Sequence, residues 1–284
     1  MAIGLLGDTL WTTEFPPGRI RYYSTELEYL GEERAQFRHS DPRLATATAT
    51  SLMRGGGWLV APTPSMDVLR SSPAQTFPYL FVLRGAALDT VAMLQPASSL
   101  LLLGDRRIAV YQPFQDHPLI RSDPSGNGFA VLLRSERDGL SAGRYVVSRF
   151  DADGEESWRA EFGVPPVPLE RATIDLAVSR AIELFDLGAT NDVRAMVARG
   201  LYTPVHLPAV TDLIVSPEGD LFVRGYPDGE TVQWSRLSPD GSDSPWIEAP
   251  GRYDILGTGN GFVWFLEKDE SGLKTQIHLG RSSS

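Results

Sequence analysis

The chain has 284 residues, 42% of them hydrophobic and 22% charged, which is the balance of a globular protein rather than a disordered one. Its formal net charge of −10 repels phosphate backbones and anionic lipid headgroups, so nucleic acid is excluded as a partner. No apolar run approaches the roughly 20 residues needed to cross a bilayer, and the sequence contains no cysteine. These features exclude a membrane-spanning helix, disulfides and thiolate chemistry.

The amino-terminal residues 1–6 carry no basic residue ahead of their short apolar run, so we predict no signal peptide in this chain. The absence of cysteine is compatible with both reducing and oxidising compartments. The residues themselves therefore leave the compartment open.

A short turn of the form Ser/Asp-x-x-Gly recurs along the chain between strand-like segments. Its first residue can bond back to the local backbone, and its glycine supplies the positive φ that a tight turn needs. Four copies are present: residues 123–126, 151–154, 216–219 and 238–241. The pattern predicts β-hairpins in series.

The turns alternate in kind. A clear strand-like segment comes directly after the first and third turns, whereas such a segment leads into the second and fourth turns. One hairpin of each kind makes a unit of roughly 40 to 50 residues, the length of a four-stranded propeller blade. Fainter units lie within residues 7–23, 55–83 and 259–278. We therefore predict an all-β fold: a β-propeller of five to six four-stranded blades, forming one domain over residues 1–284.

A helical insertion interrupts this pattern at about residues 167–200. Apolar residues at helical spacing run through Leu169–Phe185, and Gly188 offers a stop. Thr190 or Asn191 can cap a second short helix that ends before Gly200. We predict a helical hairpin between two blades, which either binds a partner or covers one end of the sheets.

Several segments give the chain a resemblance to the six-bladed β-propellers common in environmental bacteria, relatives of the NHL and TolB-type propellers. The segments that carry it are residues 7–11, 88–93, 112–114, 150–154 and 207–223. The resemblance implies an exported bacterial protein, although family members carry an export signal and an additional amino-terminal blade. The length of this chain corresponds to about five blades.

The sequence contains no complete motif for metal or nucleotide binding. The four histidines, at positions 39, 117, 206 and 278, have no zinc-ligand spacing, so we interpret each as structural or exposed. The acidic run Asp151–Glu156 lacks the EF-hand spacing, and the glycines at 55–57 and 257–261 precede strands rather than helices. We predict no cofactor and no metal ligand from linear motifs.

Candidate ligand-binding residues follow only from position in the blades. Arg134, Arg224 and Tyr226 end inner-strand patterns, which places them on the channel face. Pairing with neighbouring acidic residues is the alternative role for both arginines. Aromatic residues alternate on the strands at positions 22, 23, 58, 234 and 264, and we interpret them as packing between blades.

Two functions fit this sequence. The first is a non-catalytic, monomeric propeller that binds a protein partner or a small molecule, and failure of the catalytic motifs favours it. The alternative is a metal-dependent propeller hydrolase or lactonase, whose carboxylates come from separate blades around the central channel.

Overall fold

The computed structural model describes most of the chain. The described residues are 2–6, 8–13, 19–33, 47–62, 79–84, 87–94, 100–103, 106–109, 113–114, 116–136, 139–184, 186–188, 190–259, 261–268 and 274–281.

Four sheets are four-stranded antiparallel meanders, each built from strands consecutive in the chain. Blade 1 contains β1 (Ala2–Leu6), β2 (Thr9–Thr13), β3 (Ile20–Ser24) and β4 (Tyr29–Glu33). Blade 2 contains β5 (Ala47–Leu52), β6 (Trp58–Pro62), β7 (Tyr79–Arg84) and β8 (Ala87–Met93). After a two-stranded hairpin, β9 (Leu100–Leu103) and β10 (Arg106–Ala109), blade 3 contains β11 (Leu119–Ser122), β12 (Gly128–Leu133), β13 (Arg144–Asp151) and β14 (Glu156–Gly163).

Two helices separate blade 3 from blade 4: α1 (Arg171–Leu184) and α2 (Asn191–Gly200). Blade 4 contains β15 (Asp212–Val215), β16 (Leu221–Asp228), β17 (Thr231–Leu237) and β18 (Asp243–Pro250). Blade 5 has three strands, β19 (Tyr253–Gly259), β20 (Phe262–Lys268) and β21 (Lys274–Arg281). The resemblance implied six blades, and the described residues form five.

The blades stack face to face around their first strands. The innermost strands β1 and β5, β11 and β15, and β15 and β19 are in contact. A separate apolar cluster lies between each successive pair of blades, and each is built from residues of both partners. Meander sheets packed radially about their inner strands make a propeller, so the predicted fold class is confirmed.

The recurring turns connect the first to the second strand and the third to the fourth strand of blades 3 and 4. Gly126, Gly154, Gly219 and Gly241 all have positive φ and donate their N–H to the carbonyl of the first turn residue. At Gly241 a Cβ would lie 3.3 Å from the Glu161 carbonyl of the preceding blade. Gly241 is therefore favoured both for its φ and for the close approach of the preceding blade.

Most of the strand aromatics pack between blades, as predicted. Trp234 is fully buried between blades 4 and 5, and Trp58 meets Trp11 edge to face at 5.6 Å between blades 1 and 2. Trp264 is different, because its side chain stays 39% exposed. Packing between blades is therefore the wrong interpretation for Trp264. It is also wrong for Tyr23, which lies on the face of blade 1 away from blade 2 and packs on Tyr29 of the same blade.

The helical hairpin has its own small core. Val178, Ala181 and Ile182 of α1 pack against Val197 of α2 and against Leu201. The predicted cap is confirmed, because the Val193 N–H donates to Thr190 Oγ1 at 3.3 Å. Helix α2 also contacts β9, so the hairpin sits beside the β9–β10 ribbon. Neither helix is long and apolar enough to span a membrane, and no other helix is present among the described residues.

Candidate functional site

A polar pocket of about 260 Å³ lies where the helical hairpin returns to the blades. Its walls come from three stretches that are distant in the chain: Asp116 before β11, residues 134–136 and 141–143 of the β12–β13 connection, and the exit from α2 over 202–208. All three are connections at one end of the blades, opposite the recurring turns. Such connections carry binding residues on a rigid scaffold more often than strands do.

Two hydrogen-bonded pairs line the pocket. Tyr202 Oη donates to Asp116 Oδ2 at 2.8 Å, and the Asp116 side chain is almost completely buried. His206 Nδ1 lies 3.1 Å from Glu136 Oε1. The pocket thus combines two carboxylates, a phenol and an imidazole, a set able to both donate and accept hydrogen bonds.

Arg134 forms one wall of the pocket, and its guanidinium donates to backbone carbonyls. Nε donates to the His117 carbonyl at 2.9 Å, while Nη1 donates to the carbonyls of Val210 and Thr211 at 2.7 and 3.2 Å. Arg134 therefore ties the end of β12 to the chain on both sides of the pocket. These three partners are backbone carbonyls, and pairing of Arg134 with an acidic side chain stays a prediction.

Arg224 and Tyr226 lie next to this wall, in the second strand of blade 4. Arg224 Nη1 donates to Thr211 Oγ1 at 3.2 Å, and Nη2 lies 3.8 Å from Asp254 Oδ1 of blade 5. Burial raises the pKa of Tyr226 to about 12, against the opposing effect of the Arg134 charge. Arg134 and Arg224 thus meet at Thr211, and Tyr226 lies within the electrostatic influence of Arg134. The binding of a ligand by these three residues stays a prediction.

A second cavity, of about 580 Å³, lies on the propeller axis among the first strands of blades 2 to 5. Its walls mix apolar and polar residues, and they include one ion pair in which Arg121 Nη2 lies 2.7 Å from Asp212 Oδ1. This pair joins blades 3 and 4. Arg134, Arg224 and Tyr226 are not among the residues that line this cavity, and their predicted place on the channel face stays a prediction.

Sequence reasoning missed the pocket residues Asp116, Glu136, Tyr202 and His206. Each is a lone polar residue in a connection, without a local motif to mark it. His206 was interpreted as structural or exposed, and its partnership with Glu136 joins positions 70 residues apart. Only the tertiary fold brings these residues together.

The metal-dependent alternative stays a prediction. Among the described residues, no three His, Asp or Glu side chains are grouped so that they could hold a metal ion. His39 lies outside the described residues. His278, the surface histidine of blade 5, pairs with Glu267 at 2.8 Å.

No protein-family model matches the chain, and no curated protein matches it. Among solved structures, the chain is similar to a member of the DUF4221 family from Bacteroides vulgatus, with 7% identity and a TM-score of 0.43, covering 97% of this chain and 76% of that one. It is also similar to a protein of unknown function from Bacteroides caccae, with 9% identity and a TM-score of 0.36 over 92% of this chain and 69% of the other. A third similar structure is the periplasmic gluconolactonase of Pseudomonas aeruginosa, with 11% identity and a TM-score of 0.35. The similarity covers 99% of this chain and 70% of that one.

At these TM-scores the propeller assignment rests on the strand order and blade packing of this chain itself. The chain spans about two thirds to three quarters of the length of these structures. The likeness to NHL and TolB-type propellers stays a prediction.

Proposed function

We propose that this chain is a non-catalytic binding module that holds a small, neutral, hydroxyl-bearing molecule in the pocket beside the helical hairpin. One observation carries the proposal: polar side chains from three distant segments converge on a single cavity. A cavity with a few convergent polar groups on a rigid scaffold is the usual form of a small-molecule site.

The size and charge of the pocket limit the ligand. A volume of about 260 Å³ lies at the small end of ligand sites and suits a molecule the size of a monosaccharide. Asp116 and Glu136 contribute negative charge, and the guanidinium of Arg134 is engaged with backbone carbonyls. An anionic ligand would meet repulsion here, whereas hydroxyl groups find both donors and acceptors.

In this proposal Arg134 borders the ligand, whereas Arg224 and Tyr226 lie behind Arg134 and support the pocket wall. Arg224 holds the Thr211 hydroxyl, and Arg134 holds the Thr211 carbonyl. Both arginines therefore position the segment that closes the pocket. A ligand contact at Tyr226 itself is not part of the proposal.

Thermal melting with a panel of neutral monosaccharides and polyols tests this function, followed by calorimetric titration of any compound that raises the Tm. A ligand that binds only the folded state stabilises it by mass action. We expect at least one neutral compound to raise the Tm, and the corresponding sugar acids and sugar phosphates to leave it unchanged.

Single substitutions then locate the site. Tyr202→Phe removes the hydroxyl that donates to Asp116, and His206→Gln removes the imidazole; each is expected to raise the Kd about five- to tenfold, the effect of losing one hydrogen bond. His278→Gln is the matched control, because His278 also pairs with a glutamate but lies in blade 5. If no neutral compound raises the Tm, or if all three variants bind equally, the proposal is wrong.

We also propose that the protein is exported, which rests on the family resemblance alone. Fractionation of the native host, with an antibody against this chain, tests it. Recovery of the chain only with the cytoplasmic fraction would overturn export and leave the binding proposal intact.

A further inference from the structure

Helix α1 carries a second apolar stripe beside the one that packs on α2. The core stripe contains Val178 and Ile182, which are buried. Residues of the second stripe recur every three or four positions and therefore share one side of the helix. They are Thr173, Leu176, Ala177, Arg180 and Leu184. Leu176 and Leu184 are 52% and 75% exposed, so a large part of this stripe is open to solvent.

The second stripe borders a cleft of about 350 Å³, the hairpin groove. Pro113 and Phe114, from the connection before β11, and Leu201, after α2, also line it. Phe114 and Leu201 are buried. The groove is therefore a cleft between a helix and the chain that enters blade 3, and its volume falls in the range of small-molecule sites.

Arg180 is the single charged residue among the described residues that line the groove. No hydrogen bond or ion pair joins its exposed guanidinium to another residue of the described chain. Its neighbours differ, because Arg171 lies 3.2 Å from Asp175 and Arg194 donates to Ser179 Oγ at 3.2 Å. The planar donors of Arg180 are thus open to a ligand, and they match the geometry of a carboxylate.

These features select one class of occupant. Apolar walls with one cation fit a molecule that joins an apolar chain to an anionic head. A partner helix is about 10–12 Å wide, and a stable protein interface buries about 800 Å² on each partner, so a groove of this volume suits a single acyl chain instead. The net charge of −10 repels an anionic bilayer, which favours a free amphiphile over a lipid surface.

We propose that the hairpin groove binds one free anionic amphiphile, a medium-chain carboxylate whose head pairs with Arg180. Its acyl chain lies along Leu176 and Leu184 of α1 and against Phe114. No described residue lines both this groove and the polar pocket. The inference therefore goes beyond the proposed function and does not depend on it.

Calorimetric titration of the purified full chain with sodium decanoate, below its micelle concentration, tests the site. We expect one decanoate per chain. The Kd should fall about two- to fourfold for each methylene added from hexanoate to decanoate, because each one buries more apolar surface. Decanol should bind more weakly than decanoate, and decyltrimethylammonium should not bind, because Arg180 repels its cationic head.

Substitutions separate the head from the chain. Arg180→Gln should raise the Kd of decanoate about three- to fivefold and leave that of decanol unchanged. Arg199→Gln is the matched control, since Arg199 is an exposed arginine of α2 outside the groove. Leu176→Gln should weaken both compounds about fivefold, whereas Leu30→Gln, at a similarly exposed leucine of blade 1, should weaken neither. Circular dichroism and a cooperative melt establish that each variant is folded.

Three results would overturn the proposal: no binding of decanoate at millimolar concentration, equal affinity for decyltrimethylammonium, or equal decanoate affinity in Arg180→Gln and wild type. Cosedimentation with phosphatidylglycerol vesicles, without binding of free decanoate, would assign the groove to a lipid surface instead. Tyr202→Phe and His206→Gln should leave the decanoate affinity unchanged, so this site and the polar pocket can each fail alone.

Discussion

At the scale of single residues, one turn departs from the glycine rule. The β3–β4 turn of blade 1 has the hydrogen bonds of the Asp151 and Ser238 turns, with Ser24 N–H donating to the Glu28 carbonyl at 2.8 Å and Leu27 N–H donating to the Ser24 carbonyl at 3.0 Å. Leu27 occupies the glycine position with a φ of +66°. A leucine in this left-handed region is strained.

Leu27→Gly is expected to stabilise the fold by about 0.5–1 kcal/mol, because relief of the left-handed strain exceeds the entropy that glycine adds to the unfolded chain. The measurement is the free energy of unfolding in urea. Leu30→Gly is the control: Leu30 is similarly exposed but lies in β4, so its replacement should destabilise. Equal effects at both positions would show that φ at Leu27 carries no strain.

Arg134 illustrates a charged residue held by backbone carbonyls. Its three hydrogen bonds join the segments on both sides of the pocket. Arg134→Lys keeps the charge but loses the planar set of donors, and the buried carbonyls then lack partners. We expect a loss of about 2–3 kcal/mol in the free energy of unfolding, compared with less than about 0.5 kcal/mol for the exposed Arg252→Lys. Similar losses for the two variants would contradict a structural role for Arg134.

At the scale of elements, the helical hairpin has an apolar core of its own. Its apolar cluster contains residues 174–201 only, whereas the cluster between blades 3 and 4 contains none of them. A unit with its own core can open without the rest of the molecule.

Ile182→Val removes one methylene from this small core, and we expect the hairpin to lose about 1 kcal/mol of local stability. Hydrogen exchange should then be about fivefold faster for amides of α1 and α2 and unchanged for those of β12 and β13. Equal acceleration in the helices and the blades would show that the hairpin opens only with the whole domain.

At the scale of the whole molecule, stability depends on stacking blades, and the stack contains buried tyrosines. Burial raises the pKa of Tyr145 and Tyr226 above the ordinary tyrosine value, that of Tyr226 to about 12. A raised tyrosine pKa favours the protonated form in the folded state. Its contribution to stability is therefore complete below pH 10 and is lost as the pH rises toward 12.

We expect the free energy of unfolding to fall between pH 10 and 12, and Tyr226→Phe to reduce that fall, because phenylalanine has no proton to lose. The measurement compares urea unfolding of wild type and variant at pH 9 and pH 11. Tyr253→Phe, at the surface of blade 5, is the control and should keep the wild-type fall. If Tyr226→Phe behaves like that control, then Tyr226 ionises as readily in the folded protein as in the unfolded chain.

Most of the fold could be predicted from local sequence patterns. The Ser/Asp-x-x-Gly turns, the strand alternation and the Thr190 cap each act over a few residues, so they can be read along the chain. The same reasoning placed Trp264 between blades, because alternation shows which residues share a face but not whether a neighbouring blade covers it.

The sequence by itself determined a β-propeller with a helical hairpin after its third complete sheet, since hairpins and caps form through contacts between near neighbours. Only the tertiary structure decided that there are five blades among the described residues and that Asp116, Glu136, Tyr202 and His206 surround one pocket. These residues come from connections up to 90 positions apart, and their meeting depends on the stacking of whole blades. Stacking is a sum of many weak apolar contacts between faces, and no short pattern in the chain encodes it.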